Sequence, residues 1–212
     1  MKLFFLLCFG LANGALGAQT RVNFQADLGA AAGAVSVDVL RFYLSEVTLL
    51  RNGEVIFSPE KRHHLLDAEF PDRMQIDLDH PPGLTYDALR FTLGVDSLTS
   101  AAGVFGGDLD PTLGMYWTWR SGYVHFKLEG TAPDCPARKH RFQYHIGGYQ
   151  APFNTLRQLT LPVTPTRELK IKIDLNLYFA AFHPAREYRI MSPSATALRA
   201  ADVLATLFSV LE

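Results

Sequence analysis

Two indoles stand two residues apart, Trp117 and Trp119, and the chain has no other tryptophan. They sit in Gly114-Met115-Tyr116-Trp117-Thr118-Trp119-Arg120-Ser121-Gly122-Tyr123. On a regular strand Met115, Trp117 and Trp119 share one face, and Tyr116, Thr118 and Arg120 share the other. Such aromatics fill sandwich interiors, and they also form stacking surfaces. Imidazoles are the second donor class, with seven histidines. His145 ends the run Phe142-Gln143-Tyr144-His145-Ile146 and leads into Gly147-Gly148, where backbone can approach a ligand closely. His125 alternates with Lys127 on the polar face of its run and reads as solvated. His63 and His64 are adjacent and point to opposite faces of a strand. His183 follows the apolar run from Tyr178 to Phe182. Met115 and Met191 lie near distinctive loops, and imidazole with thioether is a soft set that suits copper(I). Asp108-x-Asp110 offers hard oxygens for calcium, but two carboxylates are too few, and a plain turn is the better reading.

No catalytic constellation accompanies these residues. The chain carries no His-Glu-x-x-His helix, no Gly-x-Ser-x-Gly elbow and no phosphate loop. Its carboxylates are scattered. A hydrolase or an oxidoreductase is therefore disfavoured.

The N-terminus reads as an export signal. Met1-Lys2 precedes the apolar run Leu3 to Phe9, and the small residues Gly14, Ala15, Gly17 and Ala18 follow. Cleavage after Gly17 leaves a domain over residues 18–212, outside the cytoplasm. The apolar run is shorter than the roughly 18 residues that cross a bilayer. Removing Lys2 leaves 19 basic against 21 acidic side chains, which gives no reason to expect nucleic acid or an anionic membrane as partner. Of the two cysteines, Cys8 leaves with the signal, so Cys135 has no intrachain partner. Its setting, Ala132-Pro133-Asp134-Cys135-Pro136, suggests an exposed loop.

The elements that must position these residues are mostly strands. Lys170 to Leu177 and Tyr123 to Glu129 alternate apolar and polar at every step. Further strands are expected at Arg21 to Leu28, Val37 to Leu50, Glu54 to Phe57, His63 to Asp67 and Met74 to Leu78. Others are expected at Leu89 to Val95, Met115 to Arg120, Arg138 to Ile146 and Gln158 to Val163. Asn52-Gly53 reads as a tight hairpin turn. Ser194 to Leu211 carries apolar residues at helical spacing, with Ser194 as cap. The fold class that follows is mainly β: an antiparallel two-sheet sandwich with one C-terminal helix.

The tryptophan block, with Lys127-Leu128-Glu129-Gly130 after it, resembles the hallmark of the MbnP-like copper-binding family. Phe142 to Gly148 resembles that family's second motif. Leu40-Arg41-Phe42-Tyr43-Leu44-Ser45-Glu46-Val47, Leu93-Gly94-Val95-Asp96-Ser97 and Ile190-Met191-Ser192-Pro193 also fit. The resemblance implies an exported β-rich protein that handles copper. It implies a di-haem peroxidase-like partner that converts one tryptophan to kynurenine, which then helps bind copper(I). Carried over, Trp117 and Trp119 are both candidate modification sites, and His145 is the candidate imidazole ligand. His64, His125 and His183 match no family motif; of these, His64 and His125 join His145 and Met191 in the candidate ligand set. The chain has no haem attachment motif, so it would be the substrate of that oxidation and not its catalyst. The competing reading is a sandwich module that binds a ligand or a protein through its aromatics, without metal.

Overall fold

A computed structural model describes residues 18–211. The signal expected over residues 1–17 lies outside the described residues. The strands in chain order are β1 (Ala18–Asp27), β2 (Ser36–Arg51), β3 (Glu54–Phe57), β4 (His63–Asp67), β5 (Gln75–His80) and β6 (Ala88–Leu93). They continue with β7 (Tyr116–Thr118), β8 (Gly122–Thr131), β9 (Arg141–Gly147), β10 (Arg157–Pro162), β11 (Glu168–Asp174), β12 (Arg189–Ile190) and β13 (Phe208–Leu211). Three α-helices interrupt them among the described residues: α1 (Ser97–Ala102), α2 (Leu175–Ala181) and α3 (Ala195–Leu204).

The strands form the expected mainly-β, two-sheet architecture. The smaller sheet runs β13-β11-β1-β5. The larger runs β10-β6-β2-β8-β9-β12, with β3 and β4 also on β2 and β7 on β8. Most ladders are antiparallel; β1–β11 and β12–β9 are parallel. Phenylalanines seal the space between the sheets. Phe24 of β1 and Phe208 of β13 meet Phe42 of β2 and Phe91 of β6 edge-on, at centroid separations of 5.5–6.4 Å. Phe42 also stacks on Phe126 of β8 at 5.6 Å. Edge-to-face contacts of this kind add to the burial of apolar area.

Several element boundaries differ from expectation, and two of the differences bear on the core. The alternation from Lys170 does not stay extended to Leu177. Asp174 accepts a hydrogen bond from the Leu177 amide at 3.3 Å and caps α2, which begins at Leu175. The C-terminal run is not one helix to Leu211. Ser194 caps it as expected, at 3.1 Å from the Ala197 amide, but the helix stops at Leu204 and β13 pairs with β11. Pairing along β11 gives the backbone of Phe208–Leu211 the ladder partners that a longer helix would have found within itself.

A second, smaller core lies on the outer face of the larger sheet. Tyr43, Leu65, Val95, Leu109, Met115, Tyr123 and Val124 are buried there. Cys135, expected in an exposed loop, is buried; its thiol donates to the Arg141 carbonyl at 3.3 Å. The turn that carries it folds back onto the body, because the Cys135 amide donates to Ala132 O and the Ala132 amide to His140 O.

Candidate functional site

Cross-strand register builds a polar row on that outer face. Asp67 of β4 pairs with Arg41 of β2, Arg41 with Lys127 of β8, and Lys127 with His145 of β9. The cations of this row hold the segment leading into β7. Arg41 Nη1 donates to Leu113 O and Lys127 Nζ to Gly114 O, both at 3.3 Å. The Val124 amide donates to Met115 O at 2.8 Å, and the Tyr116 and Tyr123 rings meet at 4.9 Å. Tyr123 in turn donates its hydroxyl to Leu109 O at 3.1 Å. β7 is thereby fixed against β8, with Trp117 at its centre.

Trp117 lies on Gly147. A Cβ at Gly147 would fall 2.9 Å from Trp117 Cζ3 and 3.2 Å from Cη2, so the benzo edge of the indole occupies the space a side chain would fill. Gly147 and His145 are two residues apart on β9 and so share a face. The close approach at Gly147 is by the Trp117 ring, where the sequence suggested a ligand. Trp119 does not join them. β7 ends at Thr118, and Trp119 sits in the following turn, 75 % exposed, with the Arg120 guanidinium 5.8 Å from its ring centroid. Met115, Trp117 and Trp119 therefore do not share one environment: Met115 is buried, Trp117 half-buried and Trp119 open.

His145 is mostly buried, and its Nε2 lies 2.6 Å from Glu129 Oε1. Burial lowers the affinity of the ring for a second proton, and the Glu129 hydrogen bond only partly offsets it. For Glu129, burial would favour the neutral acid. The His145 hydrogen bond and the charges of Lys127 and Arg141 outweigh it and hold the carboxyl below its usual range. Both directions favour a neutral imidazole donating to a carboxylate. No hydrogen bond reaches His145 Nδ1 among the described residues, and that atom is not among the sealed polar atoms.

Met191 follows β12, whose Arg189 and Ile190 pair in parallel with Gln143 and Tyr144. The ladder ends at Ile190, and Met191 follows it directly, half-buried. The chain stays alongside, because a Cβ at Gly148 would lie 3.0 Å from Pro193 Cβ.

The remaining histidines are elsewhere. His125, read as solvated from its alternation, is 1 % exposed. A register shift falls between Val124 and Phe126 against β9, so His125 is the extra residue of a bulge and turns inward. Its Nδ1 lies 3.0 Å from Thr155 Oγ1, and its ring fills the space over Gly94. Its Nε2 is buried without a partner, and burial lowers its pKa to about 3. His64 and His63 do point to opposite faces. His63 Nε2 lies 2.9 Å from Asp96, while His64 is buried with its Nε2 unpartnered; burial first, and the Lys61 charge second, lower its pKa to about 4. His183 lies 3.5 Å from Asp134 at the surface, away from the polar row. Asp108 and Asp110 behave as turn residues: Asp108 meets Lys61 at 2.7 Å, and Asp110 caps the Pro111–Leu113 turn through Thr112. No cluster of three or more His, Cys, Asp or Glu side chains suited to a metal ion occurs among the described residues. No helix among them is long and apolar enough to cross a membrane.

Glu129 is the residue of this site to which the sequence assigned no role. The signal was there: Glu129 alternates with Lys127, and both fall opposite the strand that carries His145.

The family model for MbnP matches residues 13–192. Among solved structures, MbnP from Methylosinus trichosporium is similar at a TM-score of 0.61 and 16 % identity, over 92 % of this chain and 97 % of that one. Comparison with curated proteins finds no match. With the family model spanning the tryptophan block, the His145–Gly147 strand and Met191, this chain belongs to the MbnP family.

Proposed function

We propose that this protein is an exported copper-binding protein whose soft-cation pocket is formed at Trp117, His145 and Met191. Trp117, rather than Trp119, is the tryptophan converted to kynurenine. The observation that carries this reading is the seat of the Trp117 ring on Gly147, two residues from His145 on one face of β9. His145 supplies an imidazole nitrogen and Met191 a thioether, which together suit copper(I). Among the described residues, His, Cys and carboxylate side chains alone do not make up a three-donor set. Kynurenine would add an aryl amine and a ketone where the indole now lies.

The oxidation belongs to a partner, here a di-haem peroxidase-like protein using peroxide. Two peroxides each deliver one oxygen atom across the indole 2,3-bond and leave as water. The bond breaks to give N-formylkynurenine, and hydrolysis releases formate and kynurenine. This chain is the substrate of that step and catalyses none of it. The leader read over residues 1–17 would deliver it outside the cytoplasm.

Intact-mass and peptide analysis of protein from its native host tests the assignment. Trp117→Phe is expected to abolish the mass change of kynurenine formation, and Trp119→Phe to retain it. A modification found on Trp119 instead would sink the pocket as described. Copper(I) titration of the modified protein under reducing conditions is expected to reach one ion per chain. The exposure of Trp119 favours a second reading, in which its ring packs on a ligand or protein partner without metal. Loss of partner binding in metal-free Trp119→Phe protein would support that reading.

A further inference from the structure

Resting on the copper reading of His145, we propose that Glu129 is a positioning residue that fixes the imidazole as its Nε2–H tautomer and leaves Nδ1 as the nitrogen presented to a soft cation. The geometry is short and enclosed. Glu129 Oε1 lies 2.6 Å from His145 Nε2, and the two side chains are only 13 % and 10 % exposed. A carboxylate can only accept, so Nε2 must carry the proton. A neutral imidazole has one N–H, so Nδ1 keeps its lone pair. Nδ1 has no hydrogen-bond partner among the described residues, whereas the free nitrogens of His64 and His125 are sealed from solvent. Of these three rings, His145 alone combines an anchored N–H with a reachable lone pair. An outer carboxylate on the far nitrogen also raises the donor strength of the near one.

Glu129 is itself held. Lys127 Nζ lies 3.6 Å from Oε1 and Arg141 Nη2 3.7 Å from Oε2, and Arg141 is braced by Asp38 at 3.1 Å. Register explains the reach. Glu129 pairs with Gln143 and Lys127 with His145, so the carboxylate meets the ring diagonally across β8 and β9.

The test uses the full chain, labelled with nitrogen-15, first without metal. Long-range proton–nitrogen correlation spectra of His145 are expected to show the Nε2–H form in the wild type. Glu129→Leu is expected to lose that preference, and Glu129→Gln, whose amide oxygen still accepts, to keep it. Copper(I) affinity of the kynurenine-bearing protein is then expected to fall about 10–100-fold in Glu129→Leu and less in Glu129→Gln. An Nδ1–H form in the wild type, or an unchanged tautomer in Glu129→Leu, overturns the proposal. Should Glu129→Leu fail to fold, the wild-type and Glu129→Gln spectra still decide it. If the tautomer behaves as expected while wild-type protein binds no copper, the copper reading falls and the positioning role with it; the carboxylate would then merely hold a core-edge imidazole.

Discussion

His125 and His145 lie on neighbouring strands, yet they are imidazoles of different kinds. His145 keeps a reachable nitrogen and a carboxylate partner; His125 is sealed, with only the Thr155 hydroxyl at hydrogen-bond distance. That difference has a pH signature. Near pH 7 a buried neutral histidine carries no protonation penalty. Below the ordinary histidine value of about 6.5 the unfolded chain takes up protons that the folded chain refuses. The folded values, about 3 for His125 and about 4 for His64, set the lower end of the window. Stability is therefore present above about pH 6.5 and is progressively lost as pH falls toward those values. Urea unfolding at neutral pH and at about pH 4.5 checks this, with His125→Leu expected to show a smaller drop than wild type. An equal drop would show that His125 does not resist protonation. The burial of His125 does not follow from its neighbours in sequence, since both histidines stand in alternating runs beside polar residues. Only the bulge in β8 turns one of them inward.

At the scale of elements, the site depends on how closely β7, β8 and β9 approach. Gly147 is where all three meet. A methyl group there would lie 2.6 Å from Tyr123 O and 2.9 Å from the Trp117 ring. Gly147→Ala is expected to lift Trp117 off β9 and to cost about 1–3 kcal/mol, as overpacking does. Chemical denaturation measures the cost, and a red shift of tryptophan emission reports the displaced indole. An unshifted spectrum with unchanged stability would mean that the ring is not seated on Gly147. Strand positions such as Glu54–Phe57 and His63–Asp67 were legible to the residue, because period-2 alternation bounded by turn residues has few other solutions. The end of β11 was not. Its alternation runs on through Leu177, and the capping of α2 by Asp174 competes with it only once a core is present to receive Tyr178 and Phe179.

For the whole molecule, the last strand contributes to closure of the two sheets through Phe208. Phe208 of β13 meets Phe42 and Phe91 of the opposing sheet at 6.0 and 5.5 Å. Phe208→Ala is expected to cost about 3–5 kcal/mol, read as a lowered thermal midpoint. A loss well under about 1 kcal/mol would show that the C-terminal strand does not close the sandwich. The sequence by itself determined the strand-rich class, most strand positions, the Ser194 cap and the residues that mark the family. These follow from local periodicity, turn chemistry and a short motif, all of which are properties of neighbours along the chain. Tertiary structure alone decided that Trp117 is seated on Gly147 while Trp119 faces solvent, that Glu129 holds His145, and that Cys135 and His125 are buried. The placements of Trp117, Glu129 and His125 depend on register between paired strands, where a one-residue shift reverses the face on which a side chain emerges, and that of Cys135 depends on a turn folded back onto the body.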